Sequence, residues 1–195
     1  MIHLRQLPWI LASTSKRRQE LMRQLNVQFR VESPSNVQEL REPPANEKPE
    51  TMAQINATLK AQAIANKYPQ DVILGADTIV VLDGIVYNKP TTFEEATKML
   101  KTLSGHQHSV FTAVRILCSE LKINHLICDE SRVTFQPMSD ADIQQYYQKV
   151  YPLDKAGGYA IQEALTQQFA HYDGDLTTII GLPVKRLLTW LDSVQ

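Results

Sequence analysis

The side chains best equipped for chemistry fall in five short stretches. The first holds Ser13, Ser15, Arg17 and Arg18; the second is Glu39; the third is Asp77-Thr78 after Gly75; the fourth is Lys89 before Pro90; the fifth runs from Asp154-Lys155 to Gln162. Lys60 lies between the second and third, inside a helical pattern. These are cations that suit phosphate oxygens, together with carboxylates that hold a divalent metal or take a proton from water. Arginine fits the first task because its planar fork bonds two phosphate oxygens at once. Phosphoryl chemistry draws on this combination: cations neutralise the leaving group and a carboxylate orients or activates the nucleophile.

Each piece also has a plainer reading. Lys16, Arg17 and Arg18 sit in the first turn of a helix capped by Ser15, where cations oppose the helix dipole unless an anion is bound. The same run also reads as a solvated basic face. Asp77 reads as a residue satisfying turn donors, Lys60 and Lys89 as surface lysines, and Gly157-Gly158 as a turn. The five histidines, His3, His106, His108, His125 and His171, show no metal spacing; His106 and His108 share one strand face, which is a weak pair. Neither a Walker loop nor GxGxxG is present.

The elements that must position these residues follow from periodicity. Trp9 to Ala12 reads as a buried strand, followed by a helix with Leu21, Met22 and Leu25 on one stripe. Residues 27–32 alternate as a strand, and 33–49 form a long proline-rich loop. Thr51-x-x-Gln54 and Thr92-x-x-Glu95 read as capping boxes. Between those helices, Asp71 to Leu74 reads as a strand running into Gly75 to Thr78, and Ile79 to Leu82 as a second run with a hairpin at Asp83-Gly84. Each candidate stretch is thereby placed at a strand end or in a loop. Two long strands are expected over about 107–118 and 122–135, then a helix over 139–149 capped by Ser139. A polar stretch leads to a last helix opening near Pro183, with Val184, Leu187, Leu188 and Leu191 inward. Early alternation of strands and helices followed by paired strands gives an α/β or α+β domain with a mixed sheet, and residues 1–195 read as one domain.

Composition sets outer limits. Apolar residues make up 43% of the chain, as in a globular protein. Twenty basic against 21 acidic residues leave a net charge of −1, so no global basic excess points to nucleic acid. The two cysteines, Cys118 and Cys128, match no common zinc spacing and read as reduced thiols of a cytoplasmic protein. Neither a signal peptide nor a membrane span is read.

The motifs in order bring a family into view. Leu11-Ala12-Ser13-x-Ser15-x-Arg17-Arg18, Gly75-Ala76-Asp77-Thr78-Ile79-Val80, Lys89-Pro90, Leu103-Ser104-Gly105, Asp154 to Gln162 and Gly181-Leu182-Pro183 together resemble the Maf family of nucleoside triphosphate pyrophosphatases. The resemblance implies an elongated α/β domain, with a mixed, partly antiparallel sheet flanked by helices and an active cleft across it. It implies hydrolysis of a nucleoside triphosphate to the monophosphate and pyrophosphate with a divalent cation, Mg2+ or Mn2+. It further implies a homodimer, with no membrane association and no stable nucleic-acid complex. Asp77 matches the family's proton acceptor; Arg17, Thr78 and Gln162 match its specificity positions. Ser13, Ser15, Arg18, Lys60, Lys89, Asp154 and Lys155 fall at substrate-binding positions, and Glu39 with Asp77 at the metal. Neutral Gln162 can pair with the imide edge of uracil or thymine, which points to the dTTP/UTP branch. A 7-methyl-GTP pyrophosphatase and a nucleotide-binding regulator without catalysis stand as alternatives.

Overall fold

The computed structural model describes residues 4–194, so the reading of His3 lies outside the described residues. Within them a seven-stranded mixed sheet has the order β2-β1-β3-β5-β6-β7, with β4 also pairing β3. The strands are β1 (Trp9–Leu11), β2 (Phe29–Val31), β3 (Val72–Leu82), β4 (Ile85–Tyr87), β5 (Gln107–Cys118), β6 (Ile123–Phe135) and β7 (Ala170–Asp173). The helices are α1 (Lys16–Arg23), α2 (Pro49–Ala65), α3 (Phe93–Leu103), α4 (Asp140–Lys149), α5 (Ala164–Phe169), α6 (Leu176–Ile180) and α7 (Val184–Ser193).

β1 runs parallel to both its neighbours, and all three of its residues are buried. That is why it reads as an unbroken apolar run: both of its faces are covered. The remaining pairings are antiparallel. Side chains alternate across β3. Val72, Leu74 and Ala76 join a core with Leu21, Met22, Val114, Leu187 and Leu191, under α1 and α7. Ile73 and Ile79 face the other way, onto Ala53, Ala57, Ala61 and Ile64 of α2. A third core at the far end gathers Leu100, Leu103, Val133, Phe135, Ile143 and Tyr146 beneath α3 and α4.

β3 differs from its expectation. The two runs at 71–74 and 79–82 are one continuous strand, so Asp77 and Thr78 lie in mid-strand rather than at a turn. The polar interruption has a structural cause. β3 pairs with β1 only from Val72 to Leu74, and with β4 only from Val80 to Leu82. On that edge residues 75–79 have no strand partner among the described residues, while the other edge stays paired to β5 throughout. The opening lets groups on both faces of one strand reach a common space: Asp77 on the α2 face, Thr78 on the α1 face.

The helix ends show local chemistry at work. Ser15 caps α1, accepting from the Arg18 N–H at 3.4 Å. Ser139 and Asp142 form a reciprocal capping box on α4. Thr92 caps α3, although Glu95 turns to Thr91 instead. The expected box at Thr51-Gln54 is not formed, because α2 starts three residues earlier than that box implies, at Pro49, whose fixed φ and missing N–H suit a first helical position. The polar stretch after Gln162, for which the sequence pattern offers no element, holds α5, β7 and α6.

α2 lies against β3 so closely that Gly75 has no room for a side chain. A Cβ there meets the Ala57 carbonyl oxygen and lies 2.6 Å from the Ala61 nitrogen, both backbone atoms. Gly75→Ala is therefore expected to displace α2 and cost about 3 kcal/mol, lowering Tm by roughly 6–12 °C for a domain of this size. A Tm within 2 °C of the parent in a thermal melt contradicts this.

Candidate active site

The loop leaving β1 places Ser13 under the α1 N-terminus, where its hydroxyl accepts from the Ser15 N–H at 3.3 Å. Arg17 and Arg18 then diverge. Arg18 turns inward across the sheet opening: Nε donates to the Gly181 carbonyl at 2.9 Å, one terminal nitrogen to Thr78 Oγ1 at 3.1 Å, and the other makes a long contact of 3.5 Å to Ser13 Oγ. Its pKa is lowered by burial, with Asp77 opposing, Arg17 adding repulsion and Glu39 supporting the charge. Arg17 turns outward and pairs with Asp154, donating to Oδ2 at 2.9 Å and to the main-chain carbonyl at 3.1 Å. Lys155 bonds Asp154 Oδ1 at 2.6 Å and the Tyr151 carbonyl at 2.7 Å. Burial raises the Asp154 pKa, but the bonds from Lys155 and Arg17 outweigh it and hold the carboxyl below its ordinary range. Gly157 and Gly158, both at positive φ, bend the chain after this pair so that Tyr159 to Gln162 return along the cleft wall.

On the other face stands an ion cluster whose Lys60 and Asp77 are buried. Lys60 on α2 donates to Asp77 Oδ1 at 2.7 Å and to the Ala76 carbonyl at 3.4 Å, and its ammonium forms an ion pair with Glu39 Oε2 at 2.8 Å. The sequence reading gave Lys60 to a triphosphate; in the fold it is the counterion of two carboxylates. Asn56, one turn before Lys60, donates to Asp77 Oδ2 at 3.2 Å. Its amide is pinned by a reciprocal pair with Leu40, accepting from the N–H at 2.7 Å and donating to the carbonyl at 3.0 Å, which fixes the loop beside Glu39. Asn56 escaped the sequence reading, yet it left a signal: a polar residue four before Lys60 on a stripe of Met52, Ala53, Ala57 and Ala61.

Lys89 is exposed opposite this cluster. Desolvation by the surrounding walls pushes its pKa down, as do the like charges of Arg18 and Lys60, with Glu39 and Asp77 opposing. A single cleft of about 570 Å³ is lined by Ser13, Ser15, Arg17, Arg18, Glu39, Lys60, Asp77, Thr78, Lys89, Asp154, Lys155 and Gln162. Every sequence-derived candidate therefore faces one space.

The donor set suits a hard divalent cation. Glu39 and Asp77 present oxygens to one point of positive charge, and Mg2+ is commonly held by one or two carboxylates plus substrate phosphates. Among the described residues no group of three or more His, Cys, Asp and Glu converges.

The histidine pair does not form a metal site. His106 precedes β5, its Nδ1 2.8 Å from the Ser104 carbonyl oxygen. His108 is buried, stacked on Phe135, with Nε2 2.8 Å from the hydroxyl of Tyr159, which lines the cleft. Its Nδ1 has no well-formed hydrogen bond among the described residues. Burial lowers its pKa from 6.5 to about 4, with the His106 backbone opposing weakly. As pH falls from about 6.5 to about 4, the unfolded chain takes a proton that the native ring refuses, so stability declines across that window. The full effect is roughly 3 kcal/mol. His108→Gln is expected to flatten this acid limb in urea titrations between pH 6.5 and 4. An unchanged slope contradicts the assignment.

A family model described as a Maf-like protein matches residues 8–194. The chain belongs to the Maf family. It is 42% identical over 178 residues to a Koribacter versatilis protein named dTTP/UTP pyrophosphatase, covering 91% of this chain and 90% of that one. A relative of the same name from Acholeplasma laidlawii is 41% identical over 182 residues, covering 92% of both chains. In solved structures, this Maf chain shares its fold with the Staphylococcus aureus Ham1 protein, at a TM-score of 0.53 and 14% identity over 96% of this chain and all of that one. A HAM1 protein from Coxiella burnetii aligns with a TM-score of 0.50 at 14% identity over 96% of this chain and 99% of that one. No helix among the described residues is long and apolar enough to cross a membrane.

Proposed function

We propose that this Maf protein hydrolyses dTTP and UTP between the α and β phosphorus atoms, giving the nucleoside monophosphate and pyrophosphate. The observation that carries this reading is the meeting of Arg17, Arg18 and Lys89 with the Asp77–Lys60–Glu39 cluster in one cleft. Cations alone make a phosphate binder; cations facing a buried carboxylate make a hydrolase.

Arg18, Lys89 and Arg17 bind the triphosphate, Arg17 exchanging its Asp154 partner for phosphate oxygen. Charge-assisted bonds of this kind contribute about 1.5–3 kcal/mol each. Asp77, held by Lys60 and Asn56, takes the proton from the water whose oxygen bonds to the α phosphorus as the bond to the bridging oxygen breaks. Glu39 and Asp77 hold Mg2+ or Mn2+, which when bound supplies charge neutralisation for the phosphate oxygens. Ser13 and Ser15 stand at the α1 N-terminus, where an anion is favoured. The family resemblance puts Thr78 and Gln162 at specificity positions; the Gln162 amide has both a donor and an acceptor for the imide edge of uracil or thymine. Two free thiols, Cys118 and Cys128, fit a reducing compartment such as the cytoplasm. The family resemblance adds a homodimer, which solution mass measurement tests.

The test is kcat/KM over a nucleotide panel with Mg2+ or Mn2+, following pyrophosphate. Release from dTTP and UTP in preference to other nucleotides is expected. Release only from 7-methyl-GTP supports that branch instead, and tight binding without any release supports a regulator. Gln162→Glu is expected to lower kcat/KM for UTP by about tenfold, because a carboxylate accepts but does not donate. An unchanged value removes Gln162 from base recognition.

A further inference from the structure

Thr78 and Arg18 belong to a chain of hydrogen bonds that continues through the sheet to residues outside the cleft. Thr78 Oγ1 lies 2.9 Å from Thr112 Oγ1, its cross-strand partner on β5. Thr112 is fully buried, and its hydroxyl lies 2.6 Å from the Thr178 carbonyl oxygen. The direction of each bond follows from proton counting. A carbonyl only accepts, so Thr112 spends its single proton on Thr178. In the contact with Thr78, Thr112 must then accept, and Thr78 spends its own proton there. Toward Arg18 the Thr78 oxygen is a pure acceptor at 3.1 Å. The order is one-way: Arg18 to Thr78 to Thr112 to the Thr178 carbonyl.

The far end is anchored. The Thr178 hydroxyl donates to Asp129 Oδ2 at 2.6 Å, and Asp129 Oδ1 accepts from Arg186 Nε on α7 at 3.0 Å. Three residues after Thr178, the Gly181 carbonyl accepts from Arg18 Nε. One short segment, 178–181, thus supplies the acceptor for both the Arg18 Nε and the last hydroxyl of the chain. Of the five guanidinium N–H groups, three point at Gly181, Thr78 and Ser13. One on each terminal nitrogen remains unclaimed among the described residues and is available to a phosphate oxygen.

We propose that Thr112, a residue outside the cleft lining, is a positioning residue for Arg18, acting through Thr78 to aim the guanidinium at the polyphosphate. This rests on the reading of the cleft as a nucleoside triphosphate site. It also gives Thr78 a specific part: with its proton committed to Thr112, its hydroxyl cannot donate to a nucleobase. Its influence on substrate runs through the arginine.

The probe is UTP with a methylene group bridging the α and β phosphorus atoms, bound in the presence of Mg2+ and measured by calorimetry. Thr112→Val keeps the shape and removes the hydroxyl; it is expected to weaken binding about tenfold. Thr112→Ser restores the chain and is expected to bind within about twofold of the parent. In an Arg18→Ala background, Thr112→Val is expected to add no further loss, because the group it positions is gone. A purely structural role lowers Tm without moving the dissociation constant, or gives the same loss in both backgrounds; either result overturns the proposal, as does failure of Ser to restore binding. Should Thr112→Val not fold, Thr112→Cys, a weak donor and acceptor, serves for the same comparison. A parent protein that binds the analogue but hydrolyses no nucleotide sinks the pyrophosphatase reading while leaving this comparison intact. A parent that does not bind it sinks both.

Discussion

Asp77→Asn is expected to lower kcat for UTP at least ~1,000-fold while changing affinity for the triphosphate analogue by less than about fivefold. The amide keeps the size of the carboxylate and offers Lys60 the same oxygen acceptor that now stands 2.7 Å from the ammonium. It cannot take a proton from water at neutral pH, so the loss falls on the chemical step. The Asn56 amide is locked by the backbone of Leu40, so Asn56 presents its NH2 to position 77 in either case. With its oxygen on Lys60 the new amide sets its NH2 against that of Asn56, and turned over it sets a donor against Lys60, so one hydrogen bond at position 77 is lost either way. The phosphate-binding cations Arg18 and Lys89 make no hydrogen bond or ion pair with Asp77, and Glu39 with the phosphates still offers the cation its oxygens, which is why binding should survive. A variant with kcat within tenfold of the parent would remove Asp77 from the role of proton acceptor.

Lys60→Met is expected to be the most damaging substitution to stability in the cleft. Lys60 and Asp77 are both buried, whereas Glu39 keeps about half of its side chain in solvent, at 47% exposure. Losing the ammonium leaves Asp77 buried beside another carboxylate without a counterion. Breaking a buried pair from one side costs about 3–5 kcal/mol, and the freedom of Glu39 to swing outward places this case near the lower end. At about 3 kcal/mol, Tm falls by roughly 6–12 °C. A distinguishing signature accompanies that fall. With its internal cation removed, the carboxylate pair has more to gain from an external one, so added Mg2+ is expected to raise Tm of Lys60→Met by several degrees more than that of the parent. Equal Mg2+ responses would argue that Glu39 and Asp77 are not a shared cation site.

Much of the site was legible because its residues sit in short motifs whose chemistry is local. Ser15 before a helical stripe announces its cap, and Arg17 and Arg18 follow from it. The long strands β5 and β6 and the final helix stripe of Val184, Leu187 and Leu191 match their periodicities. What escaped was set by distant partners. Asp77 looked like a turn because Gly75 to Thr78 breaks the apolar pattern, and continuity there comes from the unbroken pairing with β5. The pairing of Lys60 was hidden because its partners, Glu39 and Asp77, come from other elements. At five and six residues, α6 and α5 are too short for a helical period to register. The hydroxyl chain from Thr78 to Thr178 joins three segments far apart in sequence, and threonines in strands carry no signal of which way they donate.

The most direct measurement is hydrolysis of UTP in water enriched in oxygen-18, with Mg2+ present and products followed by phosphorus NMR and mass spectrometry. UMP and pyrophosphate are expected in equal amounts, with the label in UMP alone, because the water oxygen joins the α phosphorus. Label in pyrophosphate, release of inorganic phosphate with UDP, or no turnover of any pyrimidine triphosphate would contradict the assignment of the cleft.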